Sequence, residues 1–484
     1  MKKTFKIFGP HASRTAASIF ILSFCIVAFL ATAITVYVVQ NYTGATKDDR
    51  VLYAVITDEE RLETAFYAKG KELARADGVV AKRLTSFGGA WDAVLTTAGD
   101  LHLLYEDDAH RIASGVEDFV VASEGGALAY RTVDGSLYLC RTQLASPTLV
   151  TKNCVGGFVL SPRGTLVCYV TKGEEGILVH LWNSEDVVRR DLYITDGALP
   201  LAISDNGDHL YYLTSGESAL YHASANGNVT KISGAFSDKY VPARFNRNLT
   251  EVLFSEMNAY TYFWSAAENK EKVASGIAVP VEQSGKETVS GGSFCIHSFH
   301  SFVERFYLVG QEEKKELRYL AHDFVAEKCA ADAFDAHLSA NGRELYLVRT
   351  WEDTLRIYHV ETSKKAMENM IATGVCDYAI GKDGLEVYYI TGGDKLYRHQ
   401  KSGSVLLYEG AVSVFVAVDG QPFWKVKSEE VYDLYTWHGD AASCVARDVA
   451  RTQTTSRGVY VLRTDAAPKW SFVIGSELGA LGKQ

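Results

Sequence analysis

The chain has 484 residues, of which 47% are hydrophobic and 22% are charged, with 40 glycines and only 8 prolines. This ordinary globular composition excludes collagen-like, mucin-like and wholly disordered chains. The formal net charge is −10, and such an acidic chain lacks the clustered cations by which proteins bind nucleic acid. We therefore expect no nucleic-acid partner, and solubility is the plain explanation of the acidity.

The first predicted element is a membrane-spanning helix. Residues 15–40 contain no charged side chain, and the stretch is long enough to cross the hydrocarbon core of a bilayer. Cations precede it, so the positive-inside rule places residues 1–14 in the cytoplasm and the body outside. A signal peptide cleaved near Ala33 is the alternative, but the apolar run continues past that residue. We predict an uncleaved signal-anchor of a single-pass cell-membrane protein, with residues 15–40 as its membrane contact.

A unit of about 40 residues recurs through the body. Its first motif is Ser, two variable residues, Gly and then a strand that ends in an aromatic residue. Copies begin at Ser123, Ser161, Ser204 and Ser339, and weaker ones at Phe245 and Gly381. A second motif, a short strand centred on Leu and an aromatic residue, follows roughly a dozen residues later. Its copies begin at Gly99, Asp134, Ser218, Leu355, Asp394 and Val431.

The turns of this unit are rich in Gly, Asn and Asp, which tolerate positive φ. Five glycines occupy the anchor position of the first motif: Gly126, Gly164, Gly207, Gly342 and Gly384. We expect Gly164, Gly207 and Gly342 to take positive φ in a turn that precedes the inner strand of a blade.

The repeat predicts an all-β fold. Four antiparallel strands in about 40 residues are one propeller blade, and a ring of blades buries the Leu, Val and Tyr faces of its members. We predict a single β-propeller over residues 85–475, with eight blades in a range of seven to ten, and a tail at 476–484. Residues 41–84 are a linker or a first partial blade. Asp58–Lys82 is either a short helix or a copy of the second motif, and Asn269–Gly292 is predicted to be a loop.

Three segments resemble the bacterial WD40-like propeller repeats of the TolB type: SPRGTLVCYV, SDNGDHLYYLT and LSANGRELYLVR. The segment LEVYYITGGDKLYRHQKSG also resembles repeats of membrane-anchored proteins from Gram-positive bacteria. The resemblance covers most of residues 85–475 and implies a fold rather than a function. Arg163, Asn206 and Asn341 stand where Asp is usual in that family. In a bacterium the sequons at Asn41, Asn228 and Asn248 would have no consequence.

The sequence contains no G-x-S-x-G, H-E-x-x-H, Walker or G-x-G-x-x-G motif. His297 and His300 would point to opposite faces of a strand, which disfavours a shared metal. Two acidic groups have the spacing of ligands, and we interpret each as a plain turn: Asp205, Asn206 and Asp208, and Asp332, Asp335 and His337. We therefore predict no catalytic, cofactor-binding or metal-binding residues.

The cysteines do not indicate a disulfide framework. Cys25 lies in the predicted span, and an odd number remains in the body: Cys140, Cys154, Cys168, Cys295, Cys329, Cys376 and Cys444. The spacing leaves a bridge between Cys140 and Cys154 open.

We expect a non-enzymatic binding or scaffolding module for an envelope protein, a peptide or a glycan. The alternative is a glycan hydrolase or lyase with an acid pair in the funnel of the ring. The two differ in one structural property. The enzyme requires carboxylates that converge near the ring axis with perturbed pKa values.

Overall fold

The computed structural model describes residues 53–480 apart from short gaps. The gaps are 59–60, 69–70, 86–90, 125, 142–145, 174–175, 184–188, 194–197, 215–217, 240–241, 268–269, 275, 285–287, 291–293, 298–304, 312–313, 321–325, 363–367, 418–419, 439–440, 456–457, 465–469 and 475–476. Every strand below belongs to one compact unit, residues 50–484. The predicted anchor at residues 15–40 lies outside the described residues. Within them, no helix has the length and apolar character of a membrane span.

The described part of the chain is all-β, as predicted, with 44 strands in eight sheets. Sheet 1 contains β1 (Ala54–Asp58), β2 (Glu63–Ala68) and β3 (Lys71–Asp77). Sheet 2 contains β4 (Val80–Thr85), β5 (Trp91–Thr96), β6 (Leu101–Tyr105) and β7 (Asp108–Ala113). Sheet 3 contains β8 (Val116–Val121), β9 (Ala127–Thr132), β10 (Leu137–Arg141) and β11 (Thr148–Thr151).

Sheet 4 contains β12 (Cys154–Leu160), β13 (Leu166–Gly173), β14 (Gly176–Asn183) and β15 (Arg189–Tyr193). Sheet 5 contains β16 (Ala198–Ile203), β17 (His209–Thr214), β18 (Ala219–Ser224) and β19 (Val229–Ser233). Sheet 6 contains β20 (Phe236–Ser237), β21 (Ala243–Phe245), β22 (Glu251–Glu256), β23 (Thr261–Ser265), β24 (Lys270–Ala274), β27 (Thr288–Ser290) and β28 (Phe294–His297).

Sheet 7 contains β25 (Ala278–Pro280), β26 (Glu282–Gln283), β29 (Arg305–Gln311), β30 (Lys314–Leu320), β31 (Ala326–Leu338), β32 (Glu344–Trp351), β33 (Thr354–Glu361), β34 (Glu368–Ile380), β35 (Val387–Thr391), β36 (Lys395–Gln400) and β37 (Gly403–Glu409). Sheet 8 contains β38 (Ala411–Val416), β39 (Pro422–Ser428), β40 (Val431–His438), β41 (Ala441–Thr455), β42 (Gly458–Arg463), β43 (Trp470–Ile474) and β44 (Glu477–Ala480).

Sheets 2 to 5 are simple four-stranded antiparallel meanders, which is the arrangement of a propeller blade. Sheets 7 and 8 are longer because some strands serve two meanders. In β31, Ala326–Ala333 pairs with β30 and Ala333–Leu338 pairs with β32, and β34 and β41 are shared in the same way. The number of sheets is therefore not the number of repeat units, and eight blades stay a prediction.

The hydrophobic core lies between successive sheets. One cluster joins Tyr211 of sheet 5 to Phe245 and Trp264 of sheet 6, and similar clusters join the other neighbours. The sheets at the two ends of the series also pack together, because Tyr67 of β2 lies 6.0 Å from Tyr460 of β42, centroid to centroid. As predicted, Leu, Val and Tyr side chains dominate these contacts.

Two segments that the sequence left open or misassigned are now placed. Asp58–Lys82 contains β2 and β3 rather than a helix, and β3 is the copy of the second motif. Asn269–Gly292, predicted to be a loop, instead contributes short strands. β26 pairs in parallel with β31, and β28, directly after the segment, pairs in parallel with β21. Backbone pairing to free strand edges needs no side-chain pattern, so the composition did not reveal it.

Candidate functional site

The meanders have two distinct sides. Because successive strands are antiparallel, the first turn of each meander lies on one side, and the second turn lies on the other with the link to the next meander. Backbone hydrogen bonds confirm that the second turn of one meander lies beside the start of the next. Val116 at the start of sheet 3 donates to Gly99 O in the second turn of sheet 2 at 2.9 Å. Cys154 at the start of sheet 4 donates to Gly135 O at 3.0 Å. We call these the first-turn side and the second-turn side.

The Ser-x-x-Gly motif forms the first turn of a meander. Gly164, Gly207 and Gly342 have φ values of +73°, +73° and +70°, as predicted. Each of these turns lies between the first and second strands of its meander, whereas we expected it before the inner strand of the blade. The serine recurs because its side chain closes the turn. Ser204 Oγ accepts a hydrogen bond from His209 N at 2.9 Å, and the Oγ atoms of Ser161 and Ser339 likewise accept one from the N–H five residues later.

First turns of neighbouring sheets are hydrogen-bonded to each other. Glu124 N in sheet 3 donates to Pro162 O in sheet 4 at 2.6 Å. Arg163 N in sheet 4 donates to Asp205 Oδ1 in sheet 5 at 2.7 Å. These contacts fix the turns relative to one another.

Two further contacts close this set of turns into a circuit. Tyr211 Oη of sheet 5 donates to Leu249 O in the turn of sheet 6 at 2.9 Å. Arg247 in that turn forms an ion pair with Glu124 of sheet 3, with Nη2 2.9 Å from Oε2. The first turns of sheets 3, 4 and 5 are thus linked in series, and the ion pair of Arg247 connects the first turn of sheet 6 to that of sheet 3.

The group Asp205, Asn206 and Asp208 lies in a hydrogen-bonded turn, in which Gly207 N donates to Ser204 O at 3.0 Å. Asn206 Oδ1 accepts hydrogen bonds from Ser204 Oγ at 2.8 Å and from Asp208 N at 3.1 Å. Asp205 Oδ1 accepts the hydrogen bond from Arg163 N. Among the described residues, no group of three or more His, Cys, Asp or Glu side chains could hold a metal ion.

The first strands of several meanders contain a β-bulge that the sequence analysis missed. Pairing shifts register immediately before Asp118 in β8, Asp335 in β31 and Asp377 in β34. Each carboxylate accepts the N–H of its own following residue at 2.8 to 2.9 Å. A bulge turns a side chain out of the regular alternation. An Asp four or five residues before the turn motif was the available signal.

The bulge carboxylates link adjacent meanders. Lys82 Nζ of sheet 2 donates to Asp118 Oδ1 at 2.6 Å. Tyr378 Oη donates to Asp335 Oδ2 at 2.6 Å, across two meanders of sheet 7. In both cases a carboxylate of one first strand is satisfied by a neighbouring first strand, so the bulges act as inter-sheet connections.

Asp377 is a carboxylate whose environment raises its pKa. Burial raises its pKa, an effect that hydrogen bonds from the backbone N–H groups of Val414 and Tyr378 oppose. The Val414 bond is 2.8 Å long and joins sheet 7 to sheet 8. Burial also lowers the pKa of Lys425, and the two charges attract. Because both oxygens of Asp377 accept backbone hydrogen bonds, its visible role is to join the two sheets.

The interpretation of Asp332, Asp335 and His337 as a solvated turn is wrong. All three lie on β31, and Asp335 is held by Tyr378. His337 Nε2 lies 2.8 Å from Ser284 Oγ, and burial lowers its pKa. The sequence was misleading here because a β-bulge interrupts the alternation of polar and apolar residues. The strand therefore lacks the regular period by which a strand is recognised.

The residues between β25 and β29 occupy the place of a first turn, which explains why no motif copy occurs there. Gln283 Nε2 donates to Ser339 O at 3.2 Å and to Ala340 O at 3.1 Å. Ser284 N donates to Leu338 O at 2.9 Å. The insertion is thus fastened to the first turn of the following meander.

The remaining candidate residues do not form a site. His297 ends β28, while His300 lies outside the described residues. Asn228 and Asn248 are exposed in turns, and Asn41 is not described. The seven described cysteines are free thiols, so the bridge left open between Cys140 and Cys154 is not formed. Burial raises the pKa of both thiols.

The second-turn side presents large apolar side chains to solvent. Val133, Met257, Tyr260 and Trp351 belong to second turns or their edges and are 76%, 61%, 45% and 47% exposed. Tyr260 N is anchored by Asn258 Oδ1 at 3.0 Å, which holds the turn that carries Met257. Leu62 and Leu385 lie in first turns and are 61% and 47% exposed, so apolar side chains are exposed on both sides, and the first-turn side differs in the bonds between its turns.

Neither a protein-family model nor a curated protein matches the chain. Among solved structures, the tricorn protease is 10% identical over 79% of this chain and 46% of its own, with a TM-score of 0.26, so the chain spans less than half of that protein. A TolB-type protein from Agrobacterium tumefaciens is 16% identical over 42% of this chain and 82% of its own, with a TM-score of 0.32. An oligogalacturonate lyase from Vibrio parahaemolyticus is 10% identical over 69% and 97%, with a TM-score of 0.28. At this level of similarity, the architecture of the chain rests on its own repeated sheets.

Proposed function

We propose that the chain is a membrane-tethered β-propeller outside the cytoplasm that acts as a non-enzymatic binding or scaffolding module. Its ligand would be an envelope protein, a peptide or a glycan. The charge asymmetry around residues 15–40 supports the tether and its orientation. The four-stranded meanders, and the contact between Tyr67 and Tyr460 at the two ends of the series, support a ring of blades.

The observation that carries the binding function is a pair of exposed apolar side chains on a second turn that hydrogen bonds hold in place. On the first-turn side, Asp205, Glu124 and Arg247 are used to hold sheets together. On the second-turn side, Met257 and Tyr260 are exposed on a turn that the backbone keeps in place. A rigid frame with exposed loops is the usual arrangement of a binding scaffold.

Site-specific photocrosslinking tests this function on the full-length protein in its native membrane. A photoreactive phenylalanine derivative replaces Tyr260, and a matched control places it at Val229, which is 53% exposed on an outer strand. We expect a discrete adduct from position 260 and none from position 229. Protease or glycosidase treatment of the adduct then identifies the ligand class. The same adducts from both positions, or none, would contradict a binding surface on this side.

A glycan hydrolase or lyase is the second candidate, and the raised pKa of Asp377 is the one feature in its favour, since both oxygens of this carboxylate already accept backbone hydrogen bonds. This carboxylate has a raised pKa, and it is adjacent to Tyr378, which is bonded to Asp335. The full-length protein is incubated with oligogalacturonate and with cell-wall fragments, and new reducing ends and unsaturated products are measured. Turnover that Asp377→Asn abolishes at an unchanged melting temperature would establish the enzyme. No turnover by the unmodified protein would exclude it for these substrates.

A further inference from the structure

Two arginines face each other across the β32–β33 hairpin. Arg349 of β32 lies directly opposite Arg356 of β33, two residues before the turn. Like charges directly opposite each other destabilise an antiparallel pair, so another interaction must compensate for their repulsion. Because side chains alternate along a strand, Trp351 shares the face of Arg349, and Tyr358 shares the face of Arg356.

Each arginine is stacked on an aromatic ring of the opposite strand. Arg356 Cζ lies 3.5 Å from the centroid of the Trp351 ring, and Arg349 Cζ lies 4.9 Å from that of Tyr358. Arg356 Nε also donates to Thr373 Oγ1 at 3.3 Å. Stacking on a ring face is attractive for a guanidinium and keeps its plane fixed. The result is an ordered platform of two rings and two guanidinium groups.

The chemistry of this platform selects a ligand that combines negative charge with an apolar face. Guanidinium groups bind carboxylates in a planar, bidentate manner. Trp351 is 47% exposed and offers contact area for the C–H face of a sugar ring. Lys315 lies opposite Ala333, which lies opposite Arg349, but Ala333 is buried and Lys315 Nζ donates to Phe334 O at 3.4 Å, so the platform consists of the two arginines and the two rings.

The surroundings argue against a ligand with dense charge. Glu352 and Asp353 form the exposed tip of the hairpin, and Asp332 is exposed beside Ala333. These acids would repel a polyphosphate more strongly than a chain with one carboxylate per sugar ring. Glu352 and Asp353 offset the charges of Arg349 and Arg356, so the hairpin carries no net positive charge, and what distinguishes it is the two guanidinium groups stacked on aromatic rings.

We propose that Trp351, Arg349, Arg356 and Tyr358 form a binding platform for an acidic polysaccharide with a carboxylate on each sugar. The proposal rests on the binding function above and names its ligand class. It places the ligand on the second-turn side, at the tip of the second meander of sheet 7.

Calorimetric titration of the full-length protein in detergent tests the platform. The probe is a mannuronate hexasaccharide, compared with the neutral maltohexaose and with a polyphosphate of equal charge. We expect saturable binding of the acidic sugar that weakens as salt increases, and none of maltohexaose. Trp351→Ala and Arg356→Gln should each weaken binding at least tenfold, and Arg356→Lys should weaken it less. Arg61→Gln, at a side chain 71% exposed in sheet 1, is the matched control and should bind as the unmodified protein does.

Thermal melts of each variant separate lost binding from lost folding, and Arg356→Gln, which removes the repulsion together with the stacking, should change the melting temperature less than Trp351→Ala. Absence of binding by the unmodified protein overturns the platform, as does binding that neither substitution weakens. Equal binding of polyphosphate, with no effect of Trp351→Ala, overturns the sugar assignment. A crosslinked ligand at position 260 together with any of these results leaves the binding function standing and removes only the platform.

Discussion

Arg247 in the first turn of sheet 6 forms an ion pair with Glu124 in the first turn of sheet 3. The pair connects turns that are 123 residues apart in the chain, and two other sheets separate them in sequence. Glu124 is nearly buried, with 11% of its side chain exposed, whereas Arg247 is 42% exposed. The pair therefore ties together sheets that no strand pairing joins.

We predict that this ion pair contributes a coupling free energy of about 0.5–1 kcal/mol, because one partner is exposed to solvent. A double-mutant cycle with Glu124→Gln and Arg247→Gln, measured by chemical denaturation, gives this energy. Salt at 1 M should remove most of it, since charges in solvent are screened. Additive single substitutions would show that the two side chains do not interact in solution.

Gly164 should be the least replaceable glycine of the turn motif. Its φ is +73°, and a Cβ added there would lie 2.3 Å from Ala127 Cβ. Gly164→Val should reduce the free energy of unfolding by at least about 1–3 kcal/mol, since backbone strain and a steric clash act together. Gly227→Val is the control, because Gly227 also has positive φ but has no atom within 4 Å of the added Cβ. Equal losses at both positions would show that the clash has no effect.

Asp205→Asn should change stability by well under 1 kcal/mol. The amide keeps an oxygen that can accept the hydrogen bond from Arg163 N, as Oδ1 of Asp205 does now. Differential scanning calorimetry with and without calcium provides the measurement. A calcium-dependent rise in melting temperature that the substitution abolishes would contradict the assignment as a plain turn.

His209 and His222 should make the protein sensitive to acid. Their rings are hydrogen-bonded, with Nδ1 of His209 3.0 Å from Nε2 of His222, and the His222 ring lies 4.9 Å from that of Trp264. Burial lowers the pKa of His222 to about 4, with a further contribution from His209, and burial also lowers the pKa of His209 despite the opposing charge of Asp208. The unfolded chain, in which a histidine pKa is about 6.5, therefore binds protons more readily than the folded protein.

Stability should consequently fall as the pH decreases from about 6.5 towards 4. Chemical denaturation across this range measures the slope. His222→Gln keeps a hydrogen-bonding side chain without a titratable ring and should flatten that slope. An unchanged slope in this variant would show that other groups, such as buried carboxylates, cause the acid sensitivity.

The proposed topology rests on the cations before residues 15–40. A reporter fused to the carboxyl terminus should be active only outside the cytoplasm. Protease added to wall-stripped cells should digest the body. Protection of the body from the protease would contradict the predicted orientation.

The strand and turn pattern could be predicted because it depends on local physics. Positive φ at Gly164 and Gly207, and a serine that caps the same turn, leave a recurring signature in a short window of sequence. The alternation of Leu and Tyr with polar residues likewise indicates strands with a buried face. The all-β fold and the inter-sheet core followed from these two signals.

The connections between sheets could not be predicted in this way. Asp335 bonds to Tyr378, and Glu124 pairs with Arg247, at separations of 43 and 123 residues. The opposed arginines of the β32–β33 hairpin also depend on a register that a shift of one residue would change.

By itself, the sequence determined the repeat, the turn glycines and the β-strand character of this protein, because each depends on the conformational preferences of neighbouring residues. Only the tertiary structure decided that Asp377 joins two sheets and that β26 and β28 pair with first strands. It also decided that Trp351 lies against Arg356. The physical reason is that backbone hydrogen bonds and charge pairs between distant segments carry no sequence signature of their own, and form only once packing of the sheets has brought those segments together.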